Sequence, residues 1–253
     1  SLMSTGTYLP MSSPSTQKVK VVEGLKFNQA EKGNQYEVIR LVRITARVDM
    51  KIGSAITGKY RLKTVMLYDF NDRGSMWNPA LNTSTTLNAP LVPGDAVIAD
   101  APVSVTLDEG GTEFTSKLSM FESAIADKTC LVVGLERSID NGATWVDADT
   151  DGKPDVDYFK VLFAKKNASD VITPFDVVRN HRYEFTITGV NGNGFKEPED
   201  AYKSVIAGMD VDIIDWDEAN MNVVVTDGIH ILSVTPGEIT LPKDEVKYTD
   251  GFN

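Results

Sequence analysis

Cysteine and histidine are nearly missing from this 253-residue chain, which has one cysteine, Cys130, and two histidines, His181 and His230. A lone cysteine excludes an intrachain disulfide framework, Cys-rich zinc clusters and CxxC redox chemistry. Without disulfides, an extracellular address is neither supported nor excluded. Two histidines so far apart do not make a histidine metal cluster, and His181, between Arg179 and Arg182, reads as an exposed strand entry rather than a base. Basic residues are in deficit, with 25 Lys and Arg against 36 Asp and Glu, a formal net charge of -11. That balance argues against nucleic acid as a partner, and against adsorption to an anionic membrane surface. No apolar run approaches the roughly 20 residues of a membrane-spanning helix. No G-x-S-x-G elbow is present, and Gly192-x-Gly194 reads as a hairpin turn rather than a phosphate loop. The chain opens Ser-Leu-Met-Ser without a basic, apolar leader, so any signal peptide is expected to have been removed or to lie outside this sequence.

What is present is an ordinary globular composition, 42% hydrophobic and 24% charged, sufficient for a sizeable core. Residues 1–35 are rich in turn formers, including Pro10, Pro14, Gly24 and Gly33, and read as a linker or as the remnant last strand of a preceding β-domain. From Val42 the apolar residues fall on every second position: Val42, Ile44, Ala46, Val48, Met50 and Ile52. A period of two buries one face and leaves Arg43, Thr45, Arg47, Asp49 and Lys51 to water. The alternation returns at 62–70, 103–107, 183–187 and 209–213. Residues 129–135 and 158–163 are apolar on both faces and read as central strands. Asn141-Gly142, Asp151-Gly152, Asn191–Gly194 and Asp227-Gly228 supply turns. Pro198–Ala207 predicts one short helix, with Ala201, Val205 and Ile206 on one face. These elements predict an all-β fold, an antiparallel β-sandwich of about seven to nine strands with one short helix.

The sharpest motif is acidic: Asp147, Asp149, Asp151-Gly152, Asp155 and Asp157. Calcium takes several carboxylate and carbonyl oxygens, and a D-x-D-x-D-G run places three carboxylates around one turn. The run departs from a helix–loop–helix calcium site because Tyr158 stands where a bidentate glutamate belongs, so the five aspartates read either as a calcium site or as a hairpin whose side chains cap their own turn. On the calcium reading the chain is a calcium-dependent carbohydrate- or protein-binding module. Cys130 sits in an apolar run as a small buried hydrophobe; Trp77 and Trp145 lie near turns where a sugar platform would form, while Trp216 reads as core.

Four segments together resemble the fimbrillins, the pilin subunits of Bacteroidetes type V fimbriae. They are the strand Leu41–Asp49, the strand Val178–Ile187 with its Arg179-Asn180 pair, the strand end Asp215-Trp216, and Leu9-Pro10-Met11-Ser12. The resemblance covers residues 36–226, mainly the second domain of such a pilin. It implies a transthyretin-like β-sandwich over 36–228, and a 229–253 segment that is either the carboxy-terminal strand or the start of a further β-domain. It also implies no enzymatic activity and no cofactor. The chain would be an extracellular subunit or adhesin of a lipoprotein-derived fimbrium anchored at the outer membrane. Its partners would be other pilin subunits and a host or bacterial surface receptor. Assembly in such a family proceeds by donor-strand exchange, and Ile229, Ile231, Leu232, Val234, Ile239 and Leu241 are the candidate inserting residues, unless they pair within their own chain.

Overall fold

The alternating segments become strands that stack as two sheets. The computed structural model describes residues 11–12, 38–40, 42–79, 87, 89–148, 150–166, 172–204, 209–217, 223–226, 231–234 and 238–240. In chain order the described strands begin with β1 (Met11–Ser12), β2 (Val38–Arg40), β3 (Val42–Arg43), β4 (Ala46–Ile52) and β5 (Tyr60–Tyr68). They continue with β6 (Val103–Gly111), β7 (Glu113–Met120), β8 (Cys130–Arg137), β9 (Val156–Leu162), β10 (Ala164–Lys166) and β11 (Ile172–Pro174). After β12 (His181–Val190) come the helix α1 (Pro198–Lys203), β13 (Met209–Asp217), β14 (Val223–Thr226), β15 (Ile231–Val234) and β16 (Glu238–Thr240).

One sheet runs β13-β12-β4-β7 and the other β6-β5-β8-β9. Their facing sides form a shared core: Val48, Met50, Phe114, Leu118, Tyr183 and Phe185 from the first sheet meet Leu62, Val65, Leu131, Val133, Phe159 and Val161 from the second. Rings set the depth of that core, with Phe163 packed edge-on to Tyr183 and Phe185 at 5.9 and 5.3 Å between centroids. The predicted apolar set Val42, Ile44, Ala46, Val48, Met50 and Ile52 is buried throughout. The all-β sandwich with one short helix is therefore observed.

Several sequence expectations are corrected. The first sheet is mixed, because β4 and β12 run parallel, Arg47 opposite Arg182 and Ile52 opposite Ile187. The expected exposed row is not wholly exposed: Thr45, just before β4, and Asp49 within it are buried. Asp49 escapes the alternation rule because Arg47 and Arg182 both close on its carboxylate, at 2.6 Å each. β9 is an edge strand rather than a central one. Its second apolar face is covered by α1 instead of by another sheet, which leaves Tyr158 and Lys160 half-buried. The glycine-rich Asn191–Gly194 does not close a hairpin. It leads β12 to Phe195, which exchanges two backbone hydrogen bonds with Tyr158 of β9 at 2.8 and 2.9 Å, and then to α1.

The helix is shorter than expected, with Pro198 in its first turn and Ala201 buried; Val205 and Ile206 lie outside the described residues. β7 has no counterpart among the predicted strands, although Phe114, Leu118 and Met120 share its buried side. Its signal was present but interrupted by Ser116, so the two-residue period was broken in mid-strand.

Candidate functional site

The acidic segment forms the loop between β8 and β9, where Thr150 and Gly152 take left-handed backbone conformations at φ 59° and 84°. Its carboxylates turn toward their own backbone. Asp147 Oδ2 accepts from the Gly152 amide at 3.0 Å, and Asp151 Oδ1 from the Lys153 amide at 2.8 Å. Asp155 Oδ2 accepts from the Ala148 amide at 3.3 Å. Asp157 instead meets Lys196, whose Nζ donates to its Oδ1 at 2.8 Å and stands 4.0 Å from Asp155 Oδ2. That hydrogen bond raises the Lys196 ammonium above its ordinary range, with burial opposing it. Asp149 lies outside the described residues. Among those described, no three His, Cys, Asp or Glu side chains gather at one point. Three of the four described aspartates thus accept amides of their own loop, Asp151 with the spacing of an Asx turn, and Asp157 pairs with Lys196.

The segments that carried the family resemblance meet in space. Residues 42–49 supply β3 and most of β4, residues 181–187 supply β12, and Asp215-Trp216 lie on β13, opposite Tyr183 and Arg182. Met11-Ser12 pair antiparallel with Val42-Arg43 of β3. Three consecutive strands of one sheet, β13-β12-β4, thus each carry residues of one of the four motifs.

The Arg179-Asn180 pair ahead of β12 is structural in a specific way. The Arg179 guanidinium is fully buried against the Glu122 carboxylate, with Nε at 2.8 Å and Nη2 at 2.5 Å from Oε2. Asn180 adopts φ 61°, donates its amide to the Thr45 carbonyl at 2.9 Å, and presents Oδ1 to the Arg43 amide at 3.4 Å. Asparagine is one of few residues that take the left-handed region at low cost. Tyr183 Oη accepts from the Val178 amide at 2.9 Å and donates to the Asp176 carbonyl at 3.3 Å. These contacts tie the loop before β12 to β3, β4 and the segment that follows β7. Glu122 was not singled out from sequence, since an isolated glutamate carries no periodic or motif signal.

The remaining candidates separate. His181 opens β12, as expected, but is half-buried rather than exposed, with Nε2 3.2 Å from the Leu87 carbonyl and its ring against Tyr183. His230 lies outside the described residues. Trp145 has one face covered by the Arg61 guanidinium at 4.0 Å, while Trp77 is 41% exposed. Cys130 is buried on the outer side of β8, and burial pushes its thiol up to about 12. Of the candidate inserting residues, Ile231, Leu232 and Val234 lie on β15, which pairs with β14, and Ile239 lies on β16, opposite Ile39 of β2. Ile229 and Leu241 lie outside the described residues. No described helix is long and apolar enough to cross a membrane.

No protein-family model and no curated protein matches the chain. Among solved structures it is similar to the tip fimbrial protein Mfa3 of Porphyromonas gingivalis with a C-terminal truncation, at 14% identity and a TM-score of 0.36 over 70% of this chain and 53% of that one. A protein of Parabacteroides distasonis, described as a candidate cell adhesion protein, is similar at 14% identity and 0.35, covering 70% and 52%. The fimbrilin FimA of Porphyromonas gingivalis is similar at 16% identity and 0.36, covering 69% and 58%. The chain spans between 52% and 58% of the length of these three proteins.

Proposed function

We propose that this chain is a structural subunit or adhesin of a bacterial cell-surface fimbria, and that it joins its neighbours by donor-strand exchange. The observation that carries the reading is the convergence of the resembling segments: three motifs scattered along the sequence lie on three adjacent strands, β13-β12-β4. Motifs that matched by chance would have no reason to share one sheet. A strand offered by a partner adds backbone hydrogen bonds at an open sheet edge, and its alternate side chains fix the register. Among the described residues β13, β7 and β6 end the two main sheets, as does β9, where Phe195 already pairs with Tyr158, and an added strand would meet the sandwich at such an end. On this reading the protein is not an enzyme, and its partners are other subunits of an extracellular fibre held at the outer membrane.

The test is deletion of residues 229–253 followed by electron microscopy and sizing of the purified protein under assembly conditions. Loss of polymer with the monomer still folded is the expected result. Polymerisation at the wild-type level sinks the donor role of that segment.

A further inference from the structure

A cavity of about 410 Å³ opens beside β9, between the segment after β7, the segment after β11 and the end of α1. Its described lining is apolar over Ile125, Leu162, Phe163, Pro174, Phe175 and Val177. The volume falls within the roughly 300–1,000 Å³ typical of small-ligand pockets, and apolar walls with a few polar groups are their usual chemistry. Ile125 and Leu162 are 50% and 40% exposed, so apolar surface reaches the rim, while the polar Ser123, Thr129 and Ser204 also line the cavity.

The ionisable side chains of the described lining are both cations, Lys128 and Lys160. Lys160 is already engaged: its Nζ donates to the Tyr202 carbonyl at 2.7 Å and stands 5.2 Å from the Tyr202 ring centre. Lys128 is exposed, held in place by a left-handed backbone at φ 59° after a 3-10 turn, and its ammonium has no partner among the described residues. Two carboxylates of the same loops are committed elsewhere. Asp127 accepts from the Ala124 amide, the Ser123 hydroxyl and Asn71 Nδ2, at 2.8, 3.1 and 3.0 Å. Asp176 accepts from the Ile125 amide at 2.8 Å. An apolar cavity lined by one cation without a partner among the described residues selects a narrow chemistry, and the acidity of the chain as a whole makes that local cation the feature an anion must meet.

We propose that this cavity binds an amphiphilic monocarboxylate, an alkyl or aryl acid whose apolar body enters between Phe163, Phe175 and Val177 while its carboxylate meets Lys128. A single free ammonium matches a single charge, whereas a phosphate dianion calls for several converging donors. The inference stands apart from fibre assembly and holds for the folded monomer.

Calorimetry of the folded chain with sodium octanoate, and in parallel with 1-octanol, tests it. Saturable one-to-one binding of octanoate is expected, with octanol weaker by roughly two- to five-fold, the scale of an exposed ion pair. Lys128→Ala should lower octanoate affinity by that factor and leave octanol unchanged; the side chain is exposed, so the variant remains folded. Ala124→Phe, which places a ring in the cavity, should abolish both, with circular dichroism confirming the fold. Absence of saturable heat overturns the proposal, and so does octanoate binding that ignores both substitutions. Octanol binding as tightly as octanoate overturns the assignment of a carboxylate.

Discussion

Glu122 and Arg179 are 1% and 0% exposed, and either charge would be expensive to bury alone. Their worth therefore shows when one partner is removed. Glu122→Gln should leave the guanidinium charged and poorly satisfied, costing about 3–5 kcal/mol in urea unfolding. The double variant Glu122→Leu with Arg179→Met should recover most of that loss. A single variant within about 1 kcal/mol of wild type would mean that water or another group already serves Arg179.

Tyr202 offers a second residue-scale test. Its hydroxyl donates to both Asp69 oxygens at 3.0 and 2.9 Å, and that hydrogen bond, with burial and the Asp69 charge, raises it to about 12. A phenol whose folded pKa exceeds its unfolded value of about 10 contributes stability that is complete below pH 10 and is lost as pH rises toward 12. The melting temperature of wild type should fall between those limits more steeply than that of Tyr202→Phe. Parallel curves would remove this hydrogen bond from the alkaline transition.

At the scale of elements, β8 shows how a strand in mid-sheet is read correctly and why its neighbour was not. β8 is buried on both faces from Cys130 to Glu136, as its unbroken apolar run predicts. The run 158–163 has the same composition, yet β9 lies at an edge, because composition does not distinguish cover by a sheet from cover by a helix. Gly134 marks the closest part of that outer surface. A Cβ there would stand 2.6 Å from Thr64 Cγ2, 2.8 Å from Val156 Cγ1 and 3.1 Å from Tyr158 Cε1. Gly134→Ala should therefore destabilise by about 1–3 kcal/mol, the usual cost of overpacking. Adding Thr64→Ser removes the nearest of these methyls and should restore part of it. A neutral Gly134→Ala in thermal unfolding would show that the sheet yields there.

Across the whole molecule, topology sets the folding problem. β4 and β12 are central neighbours in one sheet, although most of the described chain runs between them. Loop closure on that scale precedes any return from their pairing, so refolding belongs with the slow β-topologies, on the order of milliseconds to seconds or slower. Stopped-flow tryptophan fluorescence after dilution from urea would report this, and submillisecond recovery would contradict the mixed sheet. The same distance in sequence explains why the parallel pair was not legible. Alternation states which face of each strand is buried and is silent about which strand lies beside it.

The candidate sites divide along the same line. The alternating rows, the turn glycines at 142 and 152, and the proline-started helix were all readable from local spacing, because each depends on a few consecutive dihedrals and one buried face. The acidic loop was readable as acidic but not as ligated or self-capped, since that depends on where each carboxylate points. Its carboxylates point to the amides of Gly152, Lys153 and Ala148 and, for Asp157, to Lys196 beyond β12.

By itself the amino-acid sequence determined the β class, the apolar rows that are buried, and that no disulfide joins two cysteines within these residues. Periodicity and residue inventory are local properties, and they survive without knowing the partners. Tertiary structure alone decided that β12 runs parallel to β4, that Glu122 neutralises Arg179, that Asp49 is buried between two arginines, and that a cavity opens beside β9. Each of these depends on groups remote in sequence coming within a few ångströms, where desolvation and hydrogen bonding are decided.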